Sequence, residues 1–370
     1  MNLNDPNEHL MIPGPVEVDA DVLAAMGQPV VPHYGPQWVP VYRDVQVNLK
    51  QVFHTTGDVF LIPGSGSAGL DAVLGSLLRP GDPCLVSVNG FFGERLAAIA
   101  RSRGAQVTEV KAEWGQPVLV EQVRDALEKQ DGFQAICVVH HETSTTVLNP
   151  VREIGALASE YGVPLVVDAI SSLGGELLDM DGWGIAFCVA ASQKCLEAPP
   201  GLTPVAVGPT GWQAIDRNPA PFCGWYLNLR TWREYQEKWA GWHPFPVTLP
   251  TNLILALKVA LDRLVLETVE GRVQRYASVA RFLRQGLRER GFTLLVEDAW
   301  AASTVTAAKP PAGVTPEQLV NCLREKHRIR IAGGMGDLQG KIIRIGHMGQ
   351  AASIEAMELL LSALDECCPA

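Results

Sequence analysis

A lysine at the end of an apolar run is the first residue whose type and setting could do chemistry. Ala190-Ala191-Ser192-Gln193-Lys194-Cys195-Leu196 runs into Glu197-Ala198-Pro199-Pro200-Gly201. Lysine is rarely buried without a partner or a task. Shielded from water, it loses proton affinity and becomes an amine nucleophile; the competing reading is a side chain that snorkels to the surface. Upstream, Leu165-Val166-Val167-Asp168 puts a carboxylate at the end of an apolar strand, where open α/β sheets place ligand-binding groups. On its own, that aspartate reads equally as a turn or cap residue. Further upstream, Pro63-Gly64-Ser65-Gly66-Ser67-Ala68-Gly69 is a glycine-rich turn between a strand and a helix. Such a turn lets backbone N–H groups and a helix N-terminus approach a phosphate. Its glycine spacing also fits the dinucleotide pattern G-x-G-x-x-G, and an ordinary strand–helix turn would look the same.

A phosphate cradle, a strand-end carboxylate and a sequestered lysine, in that chain order, are what pyridoxal 5'-phosphate requires. The lysine holds the aldehyde as a Schiff base. The carboxylate keeps the pyridine nitrogen protonated, so that the ring acts as an electron sink.

The elements that must position these groups are legible as an alternation. Strand-like runs at Val59–Ile62, Pro83–Val88, Gln106–Val110, Ala135–Val139, Leu165–Val167 and Ile185–Ala190 alternate with helical patterns at Ala68–Leu78, Glu94–Arg103, Leu119–Lys129 and Val151–Tyr161. This predicts an α/β fold with a mostly parallel sheet flanked by helices. After Pro250 the texture changes. Helices are expected over Thr251–Glu270 and Arg272–Arg290, the second ended by Gly291. Strands follow at Thr293–Val296, Ser303–Ala307 and Ile342–Ile345, with helices at Pro316–Lys326 and Ile354–Glu366. The expected organisation is an N-terminal arm over 1–20, a large unit over 21–266 and a small α+β unit over 267–370.

Composition bounds the partners. The 370 residues carry 30 Lys+Arg and 40 Asp+Glu, a net charge of -10, with no basic run to track a phosphate backbone, so nucleic acid is excluded as a partner. No apolar stretch approaches the roughly 20 residues that span a bilayer, and the polar, proline-broken start is no signal peptide. The eight cysteines include no C-x-x-C pair, which predicts no metal site and a reduced, cytoplasmic setting. Cys367-Cys368 reads as an exposed tail. Trp225, Trp232 and Trp239, spaced by seven, predict one helical face in a core or subunit interface.

The ordered set of motifs resembles the fold-type I pyridoxal-phosphate enzymes, specifically the class V aminotransferases of the alanine–glyoxylate and serine–pyruvate type. The resemblance runs through Ile12-Pro13-Gly14-Pro15, Gly64-Ser65-Gly66-Ser67, Asn89-Gly90-Phe91-Phe92-Gly93, His141-Glu142-Thr143-Ser144-Thr145, Asp168-Ala169-Ile170-Ser171-Ser172, Ser192-Gln193-Lys194 and Arg344-Ile345-Gly346. It implies that Lys194 carries the cofactor and shuttles the proton, and that Asp168 pairs with the pyridinium. Ile170 and Phe92 would pack on the two ring faces. Ser65, Gly66, Ser67 and Gln193 would hold the phosphate, and Thr143 would sit near the cofactor hydroxyl. Arg344 would clamp the substrate carboxylate with its guanidinium fork, and His33 and Tyr34 would belong to a loop covering the substrate. The family is homodimeric with shared sites, which implies that Thr248 reaches the partner's phosphate. Phe245 stands where the family has a tyrosine.

Several runs, among them His140-His141-Glu142-Thr143 and Lys194-Cys195-Leu196, are also similar to pyridoxamine–pyruvate aminotransferase, which takes free pyridoxamine. That enzyme has an acidic residue where Ser65 stands and an extra arginine where Met335 stands. A serine donates to a phosphate that a carboxylate would repel. The implied reaction is a ping-pong transamination between a small neutral amino acid (alanine, serine or glycine) and glyoxylate or pyruvate. The alternatives are a pyridoxamine–pyruvate activity and a lyase or cysteine desulfurase on the same fold. The latter would use a mobile cysteine, and the loop Ala332–Gly340 has none.

Overall fold

The structure is a computed structural model and describes residues 8–217 and 223–368. Residues 1–7 of the expected arm lie outside the described residues. Seven strands form the main sheet: Asp58–Pro63 (β1), Pro83–Val88 (β2), Gln106–Lys111 (β3), Ala135–Val139 (β4), Leu165–Asp168 (β5), Ile185–Val189 (β6) and Leu202–Val207 (β7). Their order is β1-β7-β6-β5-β4-β2-β3. The central strands, such as Ala-Ile-Cys-Val-Val in β4, are buried on both faces, as continuous apolar runs in a helix-covered parallel sheet must be.

One strand was not among those expected. β7 runs antiparallel to both β1 and β6, while the remaining pairs are parallel. Its insertion decides the site. Leu202 pairs with Pro63, and the Gly64 N–H donates to the Gly201 carbonyl at 2.9 Å. The glycine-rich turn after β1 is thereby stitched to the loop that leaves Lys194.

The second sheet has four antiparallel strands, Thr293–Leu294 (β8), Val305–Lys309 (β9), Ala332–Gly333 (β10) and Ile343–Gly346 (β11), in the order β8-β9-β11-β10. It has its own apolar core, which includes Leu283, Leu287, Ile343, Ile345 and Leu360. The two helices expected on either side of residue 270 are Thr251–Glu267 and Val269–Glu289. They part at Thr268, whose φ of 69° breaks the helix and whose hydroxyl accepts from the Gly271 N–H at 3.0 Å. The first helix packs into the seven-stranded core through Ile254, Leu257 and Leu261, and the second into the four-stranded core. The segment His9–Leu10 pairs in parallel with Ile329–Arg330, so this segment is bound to the four-stranded unit.

Two expectations are corrected. The tryptophan spacing does not mark one helical face. The Asn228 side chain caps a helix over Leu229–Lys238 by accepting from the Arg230 N–H, so Trp225 and Trp239 lie outside it. Trp232 is buried in the core, whereas Trp225, Trp239 and Trp242 are exposed. The cysteines are not all thiols. Helices Pro316–His327 and Ile354–Cys367 pack side by side, and a Cys322–Cys367 disulfide joins them. Cys367 and Cys368 are half-buried against the second core and form no exposed tail.

Candidate active site

The C-terminal ends of β1, β4, β5 and β6 open on one cavity. Ser65, Gly66, Ser67, Phe92, Thr143, Asp168, Ile170, Gln193 and Lys194 line it together, so nine of the thirteen residues given site roles from the sequence meet in one cavity. Ser65 precedes the helix Gly66–Leu77 and makes no side-chain cap bond, which leaves its hydroxyl and the first helical N–H groups for an anion. Gly66 is required by contact: a Cβ there would lie 2.3 Å from Ile170 Cδ1. The turn and the Ile170 wall are therefore flush.

Asp168 ends β5 and is buried. Its Oδ1 accepts from the Ile170 N–H at 2.9 Å, and among the described residues no cation lies within ion-pair distance. Burial pushes the carboxyl up to about 7 against the lowering pull of that N–H. Lys194 Nζ donates to the Pro13 carbonyl, and a Cβ on Gly14 would lie 2.7 Å from it. Burial lowers the Lys194 ammonium to about 8. The snorkelling alternative is thus displaced: the amine is turned inward and partly deprotonated near neutral pH. Gln193 Oε1 is buried without a hydrogen-bond partner among the described residues.

Phe92 is set by a helix terminus. The buried Glu142 carboxylate accepts from the Phe92 and Gly93 N–H groups at 3.0 and 2.9 Å, at the start of the helix Phe91–Ser102. Acid groups are favoured at a helix N-terminus. Arg95, one turn on, lines the same cavity with its guanidinium 4.9 Å from the Phe92 ring centroid. Sequence reasoning missed Arg95; its place one turn after Phe92 was the available signal. It also gave no role to His141, which lines the cavity with Nδ1 at 3.1 Å from the Ser171 carbonyl and 2.9 Å from Thr304 Oγ1. Burial lowers that imidazole to about 3, so it is neutral. The Thr143 hydroxyl donates to Ser171 Oγ at 2.6 Å.

Arg344 comes from β11 and is buried. Its Nε donates to the Gly333 carbonyl at 2.9 Å and its Nη1 to the Thr143 carbonyl at 3.2 Å, which brings the four-stranded unit against the cavity. Burial lowers the guanidinium to about 10, still charged at neutral pH. Tyr34 and Thr248 are exposed and are not among the cavity-lining residues. Tyr34 stacks near Trp242, with ring centroids 5.4 Å apart. Phe245 is fully buried against Tyr42 and His243.

A profile of the family described as aminotransferase class-V matches residues 23–339. The chain belongs to the class V aminotransferases. An uncharacterized aminotransferase of Methanocaldococcus jannaschii is 39% identical over 360 residues, covering 97% of this chain and 92% of that protein. A pyridoxamine–pyruvate transaminase of Mesorhizobium japonicum is 30% identical, covering 92% of this chain and 86% of that one. The crystal structure of an alanine–glyoxylate aminotransferase from Nostoc sp. superposes with a TM-score of 0.94 at 31% identity, covering 99% and 97% of the two chains. The fold is that of the fold-type I enzymes, and the cofactor of this class V aminotransferase is pyridoxal phosphate. The residues present fit it: a serine- and glycine-bearing turn at a helix start, a buried carboxyl with no ion-pair partner among the described residues and an amine of lowered basicity share one cavity.

Proposed function

We propose that this aminotransferase moves the amino group of a small neutral amino acid (alanine, serine or glycine) to glyoxylate or pyruvate in a ping-pong cycle. The observation that carries the reading is the convergence of the Lys194 amine, the Asp168 carboxyl and the Ser65–Gly66–Ser67 turn in one cavity, with the Arg344 guanidinium held at Thr143 beside it.

Bound pyridoxal phosphate supplies an aldehyde that accepts the amino group and a ring that withdraws electrons from Cα. Ser65 Oγ, Ser67 and the N–H groups of the turn would hold the phosphate, with Gln193 beside them. Asp168 would pair with the ring nitrogen and keep it protonated. Phe92 and Ile170 would flank the ring, and Thr143 would sit near its hydroxyl. Arg344 fixes the substrate carboxylate by a two-pronged charge-assisted contact. Lys194 Nζ, neutral in a useful fraction near pH 8, would carry the proton from Cα to the cofactor carbon that receives the amino group, and the opposite way in the second half-reaction. Small substrates are favoured because Arg344 is the one carboxylate clamp in the reading and Met335 is uncharged, while Arg95, the other guanidinium at the cavity, lies over the Phe91 and Phe92 rings.

The division into a large unit over 21–266 and a small unit over 267–370 is part of the same proposal, supported by the two separate cores. So is a homodimer in which Thr248 reaches the partner's site: Thr248 is exposed and stands apart from this chain's own cavity. Among the described residues no helix is long and apolar enough to cross a membrane; a cytoplasmic setting is part of the same proposal, and the Cys322–Cys367 disulfide removes the all-thiol ground on which the sequence suggested it.

The test is spectroscopic. Purified protein should carry a visible cofactor band that bleaches with L-alanine or L-serine and returns with glyoxylate or pyruvate. A protein that binds no pyridoxal phosphate, or whose band no amino acid bleaches, would refute it. The 30%-identical pyridoxamine–pyruvate relative motivates a second reading, in which free pyridoxamine is the amino donor. Turnover of pyridoxamine with pyruvate by protein stripped of phosphate cofactor would establish it.

A further inference from the structure

Glu197 is a glutamate in the wrong backbone conformation. Its φ is 56°, in the left-handed region that glycine or asparagine occupies at less cost than a residue with a longer side chain. It lies three residues after Lys194, and its N–H closes a turn on the Lys194 carbonyl at 2.9 Å. Nothing in that turn demands an acid. The side chain is nevertheless buried, and it reaches out of the lysine loop.

What it reaches explains the choice. Glu197 Oε1 accepts from the Tyr276 hydroxyl at 2.6 Å, and Oε2 lies 3.4 Å from Arg272 Nη1. Arg272 in turn donates from Nη1 to the Cys195 carbonyl at 3.3 Å and from Nε to Glu267 at 2.8 Å. Tyr276 Oη accepts from the Gly349 N–H at 3.1 Å, in the turn that follows Arg344 along the chain. Tyr276 also packs with Cys195, Val305 and Met348 in a small apolar cluster. One carboxylate therefore fastens the loop bearing Lys194 to the helix Val269–Glu289 and, through Tyr276, to the segment bearing Arg344. Glu197 does not line the catalytic cavity.

We infer that Glu197 is a positioning residue, a clasp that holds the Lys194 amine and the Arg344 clamp in one rigid frame. The inference rests on the transaminase reading for its kinetic consequence and on the geometry above for the clasp itself. A substrate bound at Arg344 presents its Cα to an amine whose loop is tied to the same helix. Misplacing catalytic groups by about 1 Å costs on the order of 100-fold in rate, so loosening the clasp acts on proton transfer and leaves carboxylate binding in place.

Three substitutions test this. Glu197→Gly suits the left-handed backbone but removes the clasp; Glu197→Gln keeps reach and can still accept from Tyr276; Tyr276→Phe removes the relay to Gly349. In Glu197→Gly, kcat should fall about tenfold or more with the amino-acid KM within about threefold, and the isotope effect of Cα-deuterated substrate should rise. Glu197→Gln should recover most of kcat. A role limited to stability would lower the active fraction without changing the isotope effect. In the cofactor-free protein, thermal unfolding of the single and double variants should be non-additive for Glu197→Gly with Tyr276→Phe. Wild-type kcat and isotope effect in Glu197→Gly, or strict additivity in the unfolding cycle, would overturn the clasp. If the wild type transaminates no amino acid, the functional reading fails instead, and the unfolding cycle decides the clasp alone.

Discussion

Two buried carboxylates near Lys194 are treated in opposite ways. Asp168 has one backbone donor, and no cation within ion-pair distance among the described residues, and burial raises it to about 7. Glu197 has a tyrosine at 2.6 Å and two arginines at 3.4 and 4.0 Å. A buried charge left unpaired is expensive, and one fully paired holds parts together. On the proposed function the first is kept for a cation that arrives from outside the chain; the second is already spent on the chain itself. The difference separates chemistry from scaffold at closely spaced positions, and it can be attacked from both sides.

The largest effect should come from Lys194→Ala, which removes both the nucleophile and the proton carrier. We expect kcat to drop by roughly four orders of magnitude or more and reductive trapping of pyridoxal phosphate by borohydride to vanish, read by mass spectrometry of the intact protein. Asp168→Asn comes next. It preserves shape and the acceptor for the Ile170 N–H but cannot keep a ring nitrogen protonated, so kcat should fall about 100- to 1,000-fold while the melting temperature holds or rises. Glu197→Gln should show the reverse balance, a lowered melting temperature with most activity kept. Arg344→Lys keeps the charge and loses the fork; the amino-acid KM should rise about 10- to 100-fold, measured under saturating oxo acid.

The smallest effect is a pH dependence. The Lys194 pKa of about 8 lies below the ordinary 10.5. Between those values the unfolded chain holds the extra proton, so stability of the cofactor-free protein should rise with pH across that window. Lys194→Met should flatten the rise in denaturant titrations between pH 8 and 10. Capture of Lys194 by an aldehyde and borohydride should have its midpoint near pH 8.

Much of this contrast could be read from residue order. Asp168 and Lys194 stand at the ends of apolar runs that had to be central strands, and the glycine turn had to join a strand to a helix. The structure brings these together as those patterns predict. The antiparallel β7 escaped because Thr203 and Pro204 interrupt Leu202–Val207, and a proline inside a run argues against a central strand. Arg344 was legible only through a motif, since its burial depends on the carbonyls of Gly333 and Thr143, one of them in the other unit. The Glu197 clasp was illegible because a backbone φ and a partner 79 residues away leave no local pattern. The Cys322–Cys367 bond was hidden likewise by a sequence separation of 45.

The early segment of the chain carries one more consequence. Met11 is bonded through its N–H to the Arg330 carbonyl and through its carbonyl to the Gly346 N–H; the Val16 N–H then reaches the Gln193 carbonyl, and Pro13 receives the Lys194 amine. A Cβ on Gly346 would lie 2.0 Å from the Ile12 carbonyl, so the two stretches are in intimate contact. During synthesis residues 9–16 leave the ribosome more than three hundred residues ahead of Arg330 and Gly346. The seven-stranded sheet can assemble in the meantime, yet the arm that covers Lys194 is fully anchored only when residues 330–346 have left the tunnel and the two distant stretches have found each other. A nascent chain halted before that point would be folded in its larger part and still unfit for catalysis.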